Sequence, residues 1–443
     1  MTNRIISAVI AFTALFCLAN RLPAQERENK VRGDRKTVEA EGFWIYNDLD
    51  KGFGEAKRSG KPLLVVLRCI PCEACAQLDQ QVVSRDPAVS KLLDKFVCVR
   101  LVHTNGLDLS LFQYDYDQSF AAFILNADRT VYGRYGTRSH QTESQRDVSV
   151  QGFAKALSAA LELHQNYPAN KAALAAKRGP EPLVSVPEEF PSLKGRYGAR
   201  LDYEGKVVQS CIHCHQVGEA MRLYYRKKQE PIPERVLFPY PLPNVVGLVM
   251  HPKETTTVLE VLPGSSAARD GFLAGDEISS LEGQPLISIA DLQWVLHNAG
   301  ESGELRAEVL RHGKKLQLPL TLAPGWRRQG DISWRATSWD LRRVTLGGMR
   351  LENPSADDRA KSGLADDAMA LRVKYLGQYG DHALAKNAGF QQGDLLLATD
   401  GNSGFRSESE LMTTLVNAKQ PGERVEFVVL RDGKQMKLGF AMQ

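Results

Sequence analysis

The sequence has almost no net charge and few cysteines for its length of 443 residues. Its 56 basic and 52 acidic residues leave a formal net charge of +4, which argues against nucleic acid or an anionic membrane surface as a partner. The seven cysteines are not spread along the chain as in a disulfide scaffold, because five of them fall in two tight clusters. This clustering indicates a redox motif or a cofactor site. A hydrophobic fraction of 43% and the length together predict about three domains with ordinary cores.

Long apolar runs are absent after the first residues. The run from Ile5 to Ala19 follows the basic Arg4, and Ala24 is a small residue where a signal peptidase could cut. A basic start, a short apolar stretch and a small-residue site predict a secretory signal peptide over 1–24. An uncleaved membrane anchor is the alternative. We therefore expect an exported protein of the periplasm or cell envelope.

The segment 41–168 alternates strands and helices in the manner of an α/β domain. Its apolar run at 63–67 predicts a strand buried on both faces. The predicted elements are strands at 63–67 and 96–101, a helix over 76–83, a hairpin of 121–125 and 130–135, and a closing helix over 153–164.

Three cysteines stand between the first predicted strand and the helix that follows it. A cysteine at a helix start is stabilised as a thiolate by the helix dipole, and a second one a turn later can resolve a mixed disulfide. Cys72 belongs to two overlapping CxxC pairs, so we predict Cys72 as the nucleophile, Cys75 as the resolving thiol and Cys69 as a third thiol. A metal site or a structural disulfide is the alternative. The segment resembles thioredoxin-fold domains of secreted proteins, although Ser119-Phe120 stands where thioredoxins have a cis-proline.

A second cluster, Cys211-Ile212-His213-Cys214-His215, has the CxxCH spacing of c-type haem attachment. Two thiols at this spacing can bond both vinyl groups of a haem, and His215 can then ligate the iron. The motif therefore predicts haem c on Cys211 and Cys214, with a bare disulfide or a zinc site as the alternatives. Candidates for the distal ligand are Met221, Met250 and His251, of which Met250 is preferred.

The C-terminal half contains a repeat. Gly271–Asp276 (GFLAGD) matches Gly389–Asp394 (GFQQGD), and the endings at 310–314 and 430–434 also correspond. This pattern resembles the bacterial form of the PDZ domain, which binds C-terminal peptides along a sheet edge.

The PDZ resemblance implies two peptide-binding grooves for exported proteins or C-terminal peptides. It assigns the first carboxylate loop to Val246, Gly247 and Leu248, and the second to Gly348 and Met349. The opposite groove walls would be helices at 289–297 and 407–416.

The sequence at 401–404, Gly-Asn-Ser-Gly, is similar to the nucleophile loop of HtrA-type proteases, which also have PDZ domains. In the first copy of the repeat the same place holds an ordinary turn, 283–286. No domain of protease length with His and Asp in order precedes it. On these grounds we expect that the protein is not a serine protease.

The order of these segments along the chain resembles that of a family of secreted bacterial thioredoxin-like plus PDZ proteins. Some members have selenocysteine in the redox motif, at the place of Cys72. It implies a multi-domain fold of α/β and α+β classes with a thioredoxin-like domain, a small CxxCH segment and two PDZ-like domains. The expected function is an exported thiol-redox protein with haem c that relays electrons to an unidentified redox partner; a non-enzymatic PDZ scaffold with structural cysteines is the alternative. The expected segments are 1–24 (signal peptide), 41–168 (thioredoxin-like), 180–243 (linker and CxxCH), 244–324 (first PDZ-like) and 325–443 (Trp/Arg segment and second PDZ-like).

Overall fold

The computed structural model describes residues 24–70, 76–140, 146–365 and 368–443. In these four ranges no helix is long and apolar enough to cross a membrane. The predicted signal peptide, except Ala24, lies outside the described residues. Cys72 and Cys75, the predicted nucleophile and resolving thiol, lie outside them as well.

The N-terminal unit (24–177) is an α/β domain built on a five-stranded sheet. Its strands are β1 (Ile45–Tyr46), β2 (Leu63–Arg68), β3 (Val97–Leu101), β4 (Phe120–Leu125) and β5 (Val131–Tyr135). Its helices are α1 (Ala24–Glu41), α2 (Leu49–Ser59), α3 (Ala76–Val83), α4 (Pro87–Leu93), α5 (Val150–Gln165) and α6 (Lys171–Leu174). The strand order is β1-β3-β2-β4-β5, with parallel pairs among the first three strands and antiparallel pairs at β4 and β5.

The central strand β2 contributes side chains to the cores on both faces of the sheet. Every residue of β2 is buried, as its continuous apolar sequence predicts. Successive side chains point to opposite faces, so Leu63 and Val65 pack in one core cluster and Leu64 and Val66 in the other. Helix α5 begins three residues earlier than predicted, because the Ser149 hydroxyl caps it by accepting from the Gly152 amide at 3.0 Å.

The connecting segment (178–243) has little regular structure. It contains α7 (Cys214–Lys227) and α8 (Glu234–Leu237). A small apolar cluster that includes Leu109, Phe190, Ile212 and Val217 packs this segment against the N-terminal unit.

The middle unit (244–324) is mostly antiparallel sheet around one helix. Its strands are β6 (Leu248–Met250), β7 (Val258–Val261), β8 (Glu277–Leu281), β9 (Gln284–Pro285), β10 (Gly303–Arg311) and β11 (Lys314–Leu322). Its helices are α9 (Ser266–Arg269) and α10 (Ile289–Asn298). The strands form a β6-β7 pair and a four-stranded sheet of order β11-β10-β8-β9.

The C-terminal unit (325–443) repeats this plan after an additional helix. Its helices are α11 (Ser338–Leu346), α12 (Ala356–Lys361), α13 (Leu384–Asn387) and α14 (Glu408–Ala418). Its strands are β12 (Met349–Glu352), β13 (Leu371–Leu376), β14 (Leu395–Thr399), β15 (Arg424–Arg431) and β16 (Lys434–Ala441), which form one sheet in chain order.

The repeated sequence motif has a physical role that is the same in both units. The buried Asp276 accepts two hydrogen bonds from Arg311, at 2.6 and 2.7 Å. Asp394 accepts two from Arg431 at the same distances. Each bidentate pair ties the Gly-Asp turn to the closing hairpin, which explains why both ends of the motif recur together.

Candidate functional site

The predicted first carboxylate loop leads into β6 through a left-handed glycine. Gly247 has φ +96°, and a β-carbon at this position would collide with Ser265. The Gly247 carbonyl accepts from the Leu262 amide at 2.9 Å. Among the described strands, β6 pairs only with β7, so its other edge has no strand partner there. The loop and this edge have the arrangement that strand addition by a peptide requires.

Helix α10 is the helix that the PDZ resemblance assigns to the opposite groove wall, and residues 289–296 of it are buried. Helical spacing places Ile289, Gln293 and Leu296 on one side, and all three are buried. The helix is capped by Ser288, whose hydroxyl accepts from the Asp291 amide.

The α10 wall holds the backbone of a residue from the segment that leads into the loop. The Gln293 side-chain amide donates to the Tyr240 carbonyl at 2.9 Å, and the Tyr240 amide donates to His297 Nδ1 at 3.2 Å. The Tyr240 ring stacks on His297 with centroids 4.0 Å apart. Burial, and then the nearby Arg327 charge, lower the pKa of His297 to about 3, so the imidazole is neutral and accepts this bond. Tyr240 therefore packs against the helix that the PDZ resemblance assigns to the groove wall.

Tyr240 is held in a strained conformation. Its φ of +47° lies in the left-handed region, which costs a non-glycine residue about 1–2 kcal/mol. Sequence analysis placed Gln293 and His297 in the predicted wall helix at 289–297 but gave them no role of their own, and it missed Tyr240. The left-handed φ of Tyr240 is contrary to the extended backbone that the following Pro241 favours.

The N-terminal unit closes the far end of this groove. The Ser149 hydroxyl donates to the Pro252 carbonyl at 3.1 Å, just beyond β6. The Ser288 hydroxyl, at the start of α10, donates to the Arg134 carbonyl at 2.5 Å. Gly133 allows this approach, because a β-carbon there would collide with Ile287. Both groove walls therefore end against one face of the N-terminal unit.

A buried ion pair fastens the same contact. Lys177 Nζ lies 2.7 Å from Asp291 Oδ2, and each side chain is 1% exposed. Asp291 also accepts from the backbone amides of Arg134 and Ile287, both at 3.1 Å. This carboxylate therefore joins the middle and N-terminal units.

The second predicted loop, Gly348 and Met349, lies at the start of β12 in the matching place. Its groove differs from the first one. Glu408, at the start of α14, accepts from the Leu351 amide of β12 at 2.6 Å and also binds the buried Arg342 of α11. A side chain of the protein thus already satisfies a backbone donor on this strand edge.

Three of the described thiols, Cys69, Cys211 and Cys214, lie at the junction of the N-terminal unit and the connecting segment. Cys69 Sγ is 3.4 Å from His213 Nδ1, and Cys211 Sγ is 4.0 Å from the same nitrogen. The Tyr114 hydroxyl donates to Cys214 Sγ at 3.1 Å. The fold thus brings Cys69 close to the CxxCH segment, which their separation in sequence does not reveal.

Alkylation tests this arrangement of thiols. Burial raises the pKa of both Cys98 and Cys211 well above the ordinary thiol range. At pH 8 we expect both to react with iodoacetamide at least about tenfold more slowly than the half-buried Cys69, because the thiolate is the nucleophile. Peptide mapping by mass spectrometry measures the rates, and urea should equalise them. Equal rates in the native protein would contradict the burial of Cys98 and Cys211.

The CxxCH residues do not fit a covalently attached haem. Cys211 and Cys214 are each 7% exposed, and Cys214 packs in a core cluster of the N-terminal unit. His215 Nδ1 instead lies 3.1 Å from Glu219. Met250, the preferred distal ligand, is buried in the core of the middle unit. No group of three or more His, Cys, Asp or Glu side chains within the described ranges could hold a metal ion.

Comparison with known proteins identifies two domain types. Residues 44–127 match the thioredoxin-like family model, and residues 245–322 match the PDZ domain model. Each match covers less than half of the chain. Solved structures similar to part of the chain include the HtrA-type protease AlgW with a decapeptide, at 16% identity and a TM-score of 0.18 over 31% of this chain and 48% of that chain.

Curated relatives include periplasmic serine endoproteases. A probable periplasmic serine endoprotease DegP-like protein of Pseudomonas savastanoi pv. phaseolicola is 26% identical over 188 residues, which are 42% of this chain and 37% of the relative. The periplasmic pH-dependent serine endoprotease DegQ of Escherichia coli is 43% identical over 65 residues, 15% of this chain and 14% of the relative. The chain thus spans well under half the length of these relatives.

These relatives correct three predictions. The electron relay with haem c and its alternative, a non-enzymatic scaffold, are wrong, because the relatives are serine endoproteases. The haem roles given to Cys211, Cys214, His215 and Met250 are withdrawn with the relay. The exclusion of serine proteases is also wrong, for the same reason. The prediction of export is confirmed, because the relatives are periplasmic. The chain is thus a periplasmic, mixed α/β multi-domain protein with a thioredoxin-like domain and a PDZ domain.

Proposed function

We propose that the protein binds the carboxyl-terminal segments of periplasmic polypeptides in the groove between β6 and α10, as part of HtrA-type serine endoproteolysis. The groove belongs to the PDZ domain at 245–322. Val246, Gly247 and Leu248 form the carboxylate loop of this proposal. Serine endoproteolysis is the activity named for the curated relatives.

The observation that supports peptide binding best is that two side chains of α10 form hydrogen bonds with the backbone of Tyr240. Gln293 and His297 already bind the carbonyl and the amide of one residue, which are the groups that a peptide presents. A bound peptide would exchange these bonds for its own and add a strand to β6. The walls include Leu248 and Ile289, so the last residue of the peptide is expected to be apolar.

Fluorescence polarisation with a labelled decapeptide tests the proposal. We expect binding of a peptide with an apolar last residue and a free carboxylate, and at least about tenfold weaker binding of its amidated form. Gly247→Ala should reduce affinity by at least about tenfold, because the left-handed φ and the collision with Ser265 both distort the loop.

Gly283→Ala is the matched control for this loop variant. Gly283 has φ +72° and lies in a turn between β8 and β9, where an added β-carbon meets no other atom. Alanine at this position therefore introduces similar backbone strain away from the groove. We expect normal binding by Gly283→Ala. Equal binding of the free and amidated peptides by the wild type would overturn the proposal.

Displacement of Tyr240 gives a second prediction. Tyr240→Ala removes the ring that stacks on His297 but keeps the unfavourable φ, so the segment competes less well with a peptide. Apparent affinity should rise about fivefold to tenfold, as expected when a competing closed state is depopulated. Tyr240→Phe keeps the ring and should bind like the wild type. Weaker binding by a folded Tyr240→Ala variant would count against competition.

The endoprotease part of the proposal has its own assay. Cleavage of β-casein by the full chain, blocked by a fluorophosphonate that reacts with activated serines, would support it. Peptide binding without any cleavage would restrict the protein to substrate binding.

We further infer that the C-terminal unit is a second PDZ-like domain with Gly348 and Met349 at its loop. The shared Asp394–Arg431 pair and the order of elements support this inference. Because Glu408 occupies the β12 edge, this second groove is expected to bind peptide more weakly than the first.

A further inference from the structure

Cys69 lies at the carboxyl end of the central strands of the N-terminal unit. It follows β2 directly, and its amide donates to the Ser119 carbonyl at 3.1 Å. Strand β3 runs parallel to β2, with Leu101 opposite Leu67. Because adjacent strands are about 4.8 Å apart, the chain that leaves β3 runs beside Cys69.

The connecting segment is bound to the chain that leaves β3 by hydrogen bonds on both sides of Cys211. The Thr104 amide and hydroxyl donate to the Ile212 carbonyl at 3.1 and 2.8 Å. The Asn105 side chain accepts from the Ile212 amide at 2.8 Å and donates to the Ser210 carbonyl at 2.9 Å. The backbone around Cys211 is therefore held at the same end of the sheet as Cys69.

The sulfur atoms of Cys69 and Cys211 meet at one imidazole nitrogen. His213 Nδ1 lies 3.4 Å from Cys69 Sγ and 4.0 Å from Cys211 Sγ. A disulfide requires the two sulfurs to approach to about 2.05 Å, which we expect rotation of the two side chains to supply. The hydrogen bonds of Thr104 and Asn105 keep the two backbone segments in place for this approach.

The other described thiols have different neighbours. Cys214 Sγ accepts from the Tyr114 hydroxyl at 3.1 Å, and Cys214 packs in a core cluster of the N-terminal unit. Cys98 lies within β3, where its Sγ is 3.6 Å from the Leu93 carbonyl. Of the thiols in the described ranges, Cys211 is therefore the best-placed partner for Cys69.

The compartment and the exposure of the two thiols favour oxidation. The protein is periplasmic, and the bacterial periplasm is an oxidising compartment in which disulfides form and persist. Cys69 is half-buried, whereas Cys211 is only 7% exposed. An oxidant from solution therefore meets Cys69 first, and Cys211 is placed to react with the product.

We propose that Cys69 and Cys211 form a disulfide that links the N-terminal unit covalently to the connecting segment, with a small-molecule disulfide as the oxidant. The Cys69 sulfur attacks the oxidant, breaks its S–S bond and releases one thiol. The Cys211 sulfur then attacks the Cys69 sulfur of this mixed disulfide and releases the second thiol. Two electrons pass from the cysteines to the oxidant, and both protons end on the released thiols. The iodoacetamide rates predicted for these cysteines apply to the reduced protein.

Peptide mapping of the full chain under non-reducing conditions tests this proposal. The protein is purified from the periplasm, with N-ethylmaleimide added at lysis to block free thiols. Trypsin releases the peptides 69–85 and 207–222, because each is bounded by basic residues. We expect these two peptides to be joined in most molecules until dithiothreitol is added. Fragmentation within each peptide should assign the bond to Cys69 and Cys211.

Cysteine variants provide matched controls for this assignment. The triple variant Cys72→Ser, Cys75→Ser, Cys214→Ser keeps the proposed pair and should retain the link, whereas Cys211→Ser should lose it. The wild-type map needs no variant, so a variant that misfolds leaves the test intact. Free thiols at Cys69 and Cys211 in the wild type, or either of them bonded to another cysteine, would overturn the proposal.

Discussion

Replacing Lys177 with methionine is expected to lower the free energy of unfolding by about 3–5 kcal/mol. The substitution leaves Asp291 as a buried carboxylate without its counter-ion. Two backbone amides still donate to Asp291, but amide bonds do not offset the loss of a full positive charge at 2.7 Å. Urea unfolding monitored by circular dichroism measures the change.

The exposed pair between Lys155 and Glu254 is the matched control. It joins the same two units, yet the side chains are 54% and 43% exposed. Exposed pairs contribute about 0–1 kcal/mol, so Lys155→Met should cost little. A loss below about 1 kcal/mol for Lys177→Met would mean that the buried contact between the units does not form.

Acid is expected to destabilise the protein through His297. Its pKa is about 3 in the folded protein and about 6.5 when unfolded, so the unfolded chain binds the extra proton between these values. This contribution is fully present above pH 6.5 and is lost as the pH falls towards 3. Between pH 7 and pH 5 the loss from this one histidine is about 2 kcal/mol.

The variant His297→Gln isolates the contribution of His297 to the loss of stability in acid. Glutamine retains an oxygen that can accept from the Tyr240 amide and does not titrate. Its stability should therefore fall by about 2 kcal/mol less than that of the wild type between pH 7 and pH 5. His382→Gln, at an exposed position, should follow the wild type. Parallel pH dependences for His297→Gln and the wild type would show that His297 is not held neutral against Tyr240.

Local sequence patterns predicted much of the fold because short-range physics determines those elements. The apolar run of β2 specifies a strand buried on both faces whatever surrounds it. The repeated GFxxGD motif predicted two units of one plan, since its aspartate and the later arginine form one local structure in each copy. The same resemblance assigns the first carboxylate loop to 246–248, which stays a prediction.

The contacts that build the candidate site are long-range and were not predictable from one sequence. Lys177 and Asp291 are 114 positions apart, and neither stands in a motif. Tyr240 reaches α10 across 57 positions. The CxxCH spacing was misleading for the same reason: it specifies the start of α7 but not the Tyr114 hydroxyl, 100 positions away, that covers Cys214.

Methyl NMR of the full chain, labelled at isoleucine δ1 positions, tests the central claim most directly. Ile289 lies on the α10 wall, whereas Ile45 lies in β1 of the N-terminal unit and serves as an internal reference. We predict that a peptide with a free carboxylate shifts the Ile289 methyl resonance and leaves Ile45 unchanged, and that the amidated peptide at the same concentration shifts Ile289 much less. An unchanged Ile289 resonance at saturating peptide, or the same shift with both peptides, would contradict peptide binding in this groove.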